Sequence, residues 1–146
     1  MNKVFFRAEE IPLPAWTEAA GSYTKSVMDR LCLKNWDLSV LFCSNSYIKS
    51  LNAQFRKKDE ATDVLSFPLG ETSPSGRYQA GDLVISLDAL KENARYFKVS
   101  EDEELRRLLI HGILHLSGED HRTNDSEEPM IKTQEKLLRG LGEKVL

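Results

Sequence analysis

All three histidines of the chain fall in one eleven-residue window, His111-Gly-Ile-Leu-His115-Leu-Ser-Gly118-Glu-Asp-His121. Residues four apart on a helix lie nearly one above the other, so His111 and His115 can hold one ion from a single turn. Gly118 supplies the left-handed conformation that ends a helix and turns the chain back. His121 then approaches the same ion from the other side. Three neutral imidazoles leave one position of a tetrahedral zinc open, the arrangement of a catalytic site. The competing account is two buried, hydrogen-bonded histidines and one exposed; the glycine-timed return of the third argues against it. Nickel or iron could occupy the same three nitrogens, because affinity alone does not select zinc.

The same His-x-x-x-His-x-x-Gly-x-x-His spacing occurs in metzincin proteases, which place a glutamate directly after the first histidine as general base. Here that position is Gly112, with no side chain to take a proton. A metalloprotease is therefore a third reading, with Glu119 or Asp120 as the only substitutes close by in sequence.

The elements that must carry these residues can be read from periodicity. Residues 3–8 alternate weakly as a first strand, and Pro12 and Pro14 open a helix to about Leu31. Leu38 to Cys43 forms a second strand, and Ser46 caps a helix to about Phe55. A third strand runs from Asp63 to its stop at Pro68. Residues 70–80 have the composition of an exposed hairpin or loop. Residues 81–86 form a fourth strand, with Gly81-Asp82 as the turn into it, and a helix follows from about Leu87 to Phe97.

Ser100 and Glu103 predict a capping box for the next helix, whose Leu105–Leu116 stretch is apolar almost all round. A helix like that is central and buried, with His111 and His115 on its flank. A last helix runs from about Glu127 to Arg139. Four strands and five helices in mixed order predict an α+β fold or an α/β sandwich, the metal-binding helix packed on a small sheet.

At 146 residues the expectation is one domain spanning 1–146 around a single core. No stretch approaches the roughly 20 apolar residues that cross a bilayer, and the N-terminus lacks the apolar run of a signal peptide. Cys32 and Cys43 form no Cys-x-x-Cys pair and read as reduced, buried thiols of a cytoplasmic protein; sequence leaves open whether one approaches the metal. The net charge of −3 excludes a strongly basic nucleic-acid-coating body. Positive charge is local, in Arg56-Lys57-Lys58, Arg106-Arg107 and Lys91 with Arg95 and Lys98, so a polyanion would meet a basic rim or else these are ordinary solvated faces.

The histidine window resembles the signature of the YbeY family of bacterial rRNA-maturation metalloproteins. So do Asn52-Ala-Gln-Phe-Arg56-Lys-Lys-Asp-Glu-Ala-Thr62-Asp-Val-Leu-Ser-Phe-Pro68 and Gly81-Asp-Leu-Val-Ile-Ser86. The resemblance spans about residue 38 to the end. It implies an α+β fold with a four-stranded mixed sheet, and a zinc-dependent, single-strand-directed endoribonuclease of rRNA maturation and ribosome quality control. It implies one zinc ion on His111, His115 and His121, with His111 and Arg56 as the catalytic residues. Its partners would be rRNA and ribosomal particles, with a ribosomal protein or a GTPase as candidate protein partner; neither DNA nor a membrane is expected. Glu119 stands where many relatives carry an aromatic residue, and Ser117 where an apolar one is commoner.

Arg56 suits its implied role chemically: it stays protonated, and its planar fork fits a phosphate. Thr62 reads as a turn cap, and Asp63 as either a turn cap or a contact to an imidazole or Arg56. Asp120 could orient a ligand, Ser66 could line the cleft, and Arg77 with Tyr78 could stack on a base. The alternative of a different class is a ribosome-associated RNA-binding factor in which zinc is structural.

Overall fold

A computed structural model of the chain describes residues 1–119, 126–142 and 144–146. The element order is β1 (Lys3–Glu9), α1 (Thr17–Arg30), β2 (Trp36–Cys43), α2 (Asn45–Arg56), β3 (Val64–Thr72), β4 (Tyr78–Ser86), α3 (Leu87–Phe97), α4 (Glu101–Leu116) and α5 (Pro129–Gly140). The strands form one sheet in the order β1-β2-β4-β3. β1 and β4 run parallel to β2, while β3 pairs antiparallel with β4. This is the mixed α+β arrangement expected, five helices around four strands.

Alternation along the central strands divides the interior in two. Leu38, Val40, Phe42, Leu83 and Ile85 join the large core with α1, α4 and α5. Leu41, Cys43, Leu65 and Val84 point the other way and are covered by Ile48, Tyr47 and Leu51 of α2. The sheet therefore has α4 on one face and α2 on the other. Cys43, on the α2 face, is a buried thiol pushed up to about 12 by desolvation, with the Glu10 and Asp88 charges adding to it. It lies on the opposite side of the sheet from the histidines. Cys32, by contrast, is exposed, contrary to the sequence expectation, because it sits in the left-handed turn after α1 (φ 60°).

Several boundaries differ from the sequence reading. The prolines do not open α1: Leu13 precedes Pro14 and is steered away from helical angles, and the helix begins at Thr17 behind Trp16, whose ring packs edge-on against Phe42 at 5.0 Å. Ser44, not Ser46, caps α2 by accepting from the Tyr47 amide; the Ser46 hydroxyl donates to Glu10. Proline does not stop β3, which continues to Thr72. β3 is an edge strand, where a missing N–H is tolerated, and the register shifts between Pro68 and Glu71. The 70–80 stretch is the hairpin its composition allowed: β3 runs into it to Thr72, residues 73–77 turn, and β4 leaves it from Tyr78. Gly81-Asp82 lies within β4 at that irregularity, not in a turn. Gly81 has φ +131°, and an added Cβ would stand 2.2 Å from the Phe67 carbonyl oxygen.

Candidate metal and nuclease site

α4 is built to hold two imidazoles still. Ser100 accepts from the Glu103 amide at its N-terminus, and four acidic residues occupy the first turn, where the helix dipole favours them. Ten of its sixteen residues are buried, Leu105, Leu109, Ile110, Ile113 and Leu114 completely. Gly112 lets the helix lie directly on β4: an added Cβ would stand 2.5 Å from Leu83 Cδ2. A glutamate at 112 has no room, so the metalloprotease arrangement with its base next to the first histidine is excluded sterically as well as chemically.

The helix ends as its glycine requires. Gly118 adopts φ +103°, the Gly118 amide donates to the His115 carbonyl, and the Glu119 amide donates to that of Leu114. This pair of bonds is the Schellman motif, and it reverses the chain immediately after His115. His121 and Asp120 lie outside the described residues. Among the described residues no group of three candidate ligands comes together; two of the three expected histidines do.

The His111 and His115 rings meet edge to face, centroids 4.6 Å apart, with their Nε2 atoms separated by 3.1 Å. Two nitrogens on one tetrahedral zinc at the usual bond lengths stand about 3.4 Å apart, so the pair fits a shared ion with little movement. The other nitrogen of His111, Nδ1, is 2.6 Å from the side-chain oxygen of Gln134 on α5. Gln134 is buried and donates its amide N–H to Glu135. Glu135 in turn receives both Nε and Nη2 of Arg107, at 3.0 and 3.1 Å.

Arg107 also binds Glu103 and Glu104. Burial opposes its charge, but the hydrogen bonds and charge of Glu135, joined by Glu104 and Glu103, outweigh that and raise its pKa. Burial pushes the Glu104 carboxyl up. For Glu135 burial acts the same way, yet the Arg107 bond prevails and its pKa is lowered.

These groups open into a cleft of about 510 Å³ whose walls include Asp63, Phe97, Glu104, Arg107, His111 and Gln134. Among the described lining residues Arg107 is the cation, but its donors are spent on three carboxylates. Asp63 is brought here by the start of β3; its carboxylate accepts from Asn93 at 3.0 Å and from the Thr62 hydroxyl at 3.4 Å. Neither sequence account of Asp63 is what the structure gives: among the described residues its carboxylate binds the Asn93 and Thr62 side chains, not a turn amide, an imidazole or Arg56, while it lines the cleft that His111 also lines. Ser66 pairs with Leu83, which places it on the α4 face, half-buried.

Arg56 is the last residue of α2, exposed, and does not line this cleft. Its helix covers the opposite face of the sheet, and the left-handed Lys57 (φ 58°) then directs the chain toward Asp63. Arg77 is not available for a base: its Nε binds Asp37 at 2.8 Å and its Nη2 the Met1 and Trp36 carbonyls. Tyr78 is likewise occupied, packed on Trp36 at 5.2 Å.

Sequence reasoning missed Gln134 and Arg107. A signal for Gln134 existed, since it stands in the middle of the buried stripe Met130, Ile131, Leu137 and Leu138 of α5. A polar residue in an apolar stripe has a partner.

A small α+β protein with paired imidazoles at the end of a buried helix defines the class, and comparison with known proteins gives the family. The family model described as endoribonuclease YbeY matches residues 5–142. An endoribonuclease YbeY of Treponema denticola is 50% identical over 121 residues, 80% of this chain and 78% of the relative. One from Borrelia turicatae is 47% identical over 134 residues, 90% of each chain. The solution structure of a Thermotoga maritima protein superposes with TM-score 0.59 at 31% identity, covering 97% of this chain and 89% of that one. The chain belongs to the endoribonuclease YbeY family, which supports an endoribonuclease role and makes RNA its substrate class. Among the described residues no helix is long and apolar enough to cross a membrane.

Proposed function

We propose that the protein is a zinc-dependent, single-strand-specific endoribonuclease of rRNA maturation, in which His111, His115 and His121 hold one ion and Arg56 binds the scissile phosphate. Its partners are then rRNA and ribosomal particles in the cytoplasm, and ribosome quality control follows from the same cleavage. The observation that carries the reading is the Nε2–Nε2 approach of His111 and His115 at 3.1 Å, with His111 Nδ1 already engaged by Gln134. When bound, zinc supplies a Lewis acid that polarises a phosphate oxygen and lowers the pKa of water to about 7.

The chain's own residues do the rest. The two imidazoles direct ring nitrogens to one point from a helix that packing holds fixed. Arg56, at the exposed end of α2, would meet the phosphoryl oxygens with a permanent fork of donors once RNA is bound, and a cation there favours the transition state over the ground state. It is exposed and makes no side-chain bond among the described residues, unlike Arg107, whose donors are spent on carboxylates.

The test is cleavage of a structured rRNA fragment with single-stranded ends by zinc-loaded protein, beside chelated protein, Arg56→Ala and His111→Ala. Cutting by the zinc-loaded protein alone is expected. Equal cutting by all four defeats the proposal. Binding without cutting, together with a fourth protein ligand on the ion, would favour the RNA-binding factor with structural zinc.

A further inference from the structure

The side chain of Gln134 can accept at only one end. Its amide nitrogen donates to the Glu135 carboxylate at 3.0 Å, and a carboxylate held by two Arg107 donors at 3.0 and 3.1 Å cannot donate back. The amide oxygen is therefore the atom aimed at His111 Nδ1, 2.6 Å away. An amide oxygen has only lone pairs to offer, so the proton must sit on Nδ1. In the neutral imidazole, the form that can ligate a metal, proton and lone pair are consequently assigned across the ring: Nδ1–H toward α5, lone pair on Nε2 toward His115.

From this we propose that Gln134 is a positioning residue, set by the Arg107–Glu135 pair, that fixes the His111 tautomer and ring angle so that Nε2 is presented for ligation. The reading rests on the two-imidazole metal site proposed above, but its first step concerns the imidazole itself. Without Gln134 the ring keeps its place on α4, yet it can turn about χ2 and carry its proton on either nitrogen. An acceptor on the distal nitrogen also makes the ligating one a better donor. The relay crosses from α4 to α5 and back: Arg107 and His111, one turn apart on α4, reach it through consecutive residues of α5. Docking of α5 is thereby coupled to ligation by α4. Gln134 is 5% exposed, and a leucine there would fill the space without accepting.

The test uses the whole chain, metal-free and ¹⁵N-labelled, as wild type, Gln134→Leu and Gln134→Glu. Long-range ¹H–¹⁵N correlations of the imidazoles report which nitrogen carries the proton, and competition with a chromophoric chelator reports zinc affinity. The wild type is expected to show His111 protonated at Nδ1. Gln134→Leu should lose that single tautomer and bind zinc 10–100-fold more weakly. Gln134→Glu restores an acceptor and should recover the tautomer, with affinity within a few-fold of wild type. An unchanged tautomer and affinity in a folded Gln134→Leu overturns the proposal, because packing alone would then account for the residue. Should Gln134→Leu not fold, the glutamate variant decides: loss of the Nδ1–H signature there also overturns it. If the tautomer follows the substitutions but no form of the protein binds zinc, the positioning role stands and the metal reading fails.

Discussion

The two faces of the sheet differ in how they present their charged and ligating groups. On the α4 face the polar groups next to His111 are joined: Gln134, Glu135, Arg107 and Glu104 form one connected set. On the α2 face Arg56 ends a helix in solvent, beside Phe55, which is 60% exposed and meets Phe67 edge-on at 5.6 Å. The first arrangement is preorganised before any ligand arrives; the second can adapt to one. Ligation tolerates little error in the direction of a lone pair, and rigid packing limits that error. A phosphate on a flexible chain is met by a side chain that can move, at an entropic cost of the order of 1–2 kcal/mol for ordering it.

The largest effect that would sharpen this contrast comes from the rigid side. His115→Ala removes one of the two ring nitrogens and should abolish zinc binding and cleavage together, measured by metal content and RNA cutting. Loss of cleavage with full zinc occupancy would show that the two imidazoles do not share the ion. On the adaptable side, Arg56→Ala should lower the cleavage rate about 10²–10³-fold, the range for removing one transition-state donor. Because Arg56 is exposed, its melting temperature and zinc affinity should match the wild type. A destabilised Arg56→Ala would mean that the α2 end is as integrated as the α4 flank, and the comparison would break there.

Gly112→Ala probes how tightly the rigid face is closed. The new methyl would stand 2.5 Å from Leu83 Cδ2 and 2.7 Å from Cδ1, so either α4 lifts or Leu83 leaves its rotamer. Overpacking of this kind costs about 1–3 kcal/mol. The expected outcome is a lower denaturation midpoint and weaker zinc binding together, since the helix that shifts is the one carrying both imidazoles. Lost stability with unchanged zinc affinity would separate the packing of α4 from its ligand geometry.

What could be read from the chain follows the range of the interactions. Elements closed by neighbours in sequence were legible: α3 runs over the residues its periodicity predicts, and α4 starts behind Ser100 and ends before Gly118. Errors arose where a partner element changed the outcome. Pro68 reads as a strand stop until β3 is known to be an edge, and Arg77 reads as free until Asp37, forty residues away, is folded beside it. The stripe of α5 marked Gln134 as partnered, but its partner was hidden for the same reason, as His111 and its acceptor are 23 residues apart on different helices. The pairing of His111 with His115 was legible because the two lie one turn apart on one helix; its support was not, because it comes from another.

The smallest expected effect concerns what holds α4 at its other end. Asp102 Oδ1 accepts the Val145 and Leu146 amides at 2.6 and 3.0 Å, and Oδ2 accepts Arg106 Nε at 2.9 Å. Desolvation raises its pKa, but the Leu146 and Val145 amides and Arg106 more than offset this, so the net shift is downward. A carboxylate with a depressed folded pKa contributes stability that is present above its unfolded value, near 3.9, and lost as pH falls through the lower folded value. Asp102→Asn keeps the shape but weakens both sets of bonds, and should cost about 1–2 kcal/mol at pH 7. That deficit should shrink toward zero as the pH is lowered below about 4, followed by denaturant unfolding of both proteins across the acid range. Zinc affinity should hardly change, because the clamp sits at the opposite end of α4 from His115. A substantial loss of affinity would mean that the ligating end of α4 depends on how its first turn is anchored, and that the rigidity of this face belongs to the whole helix.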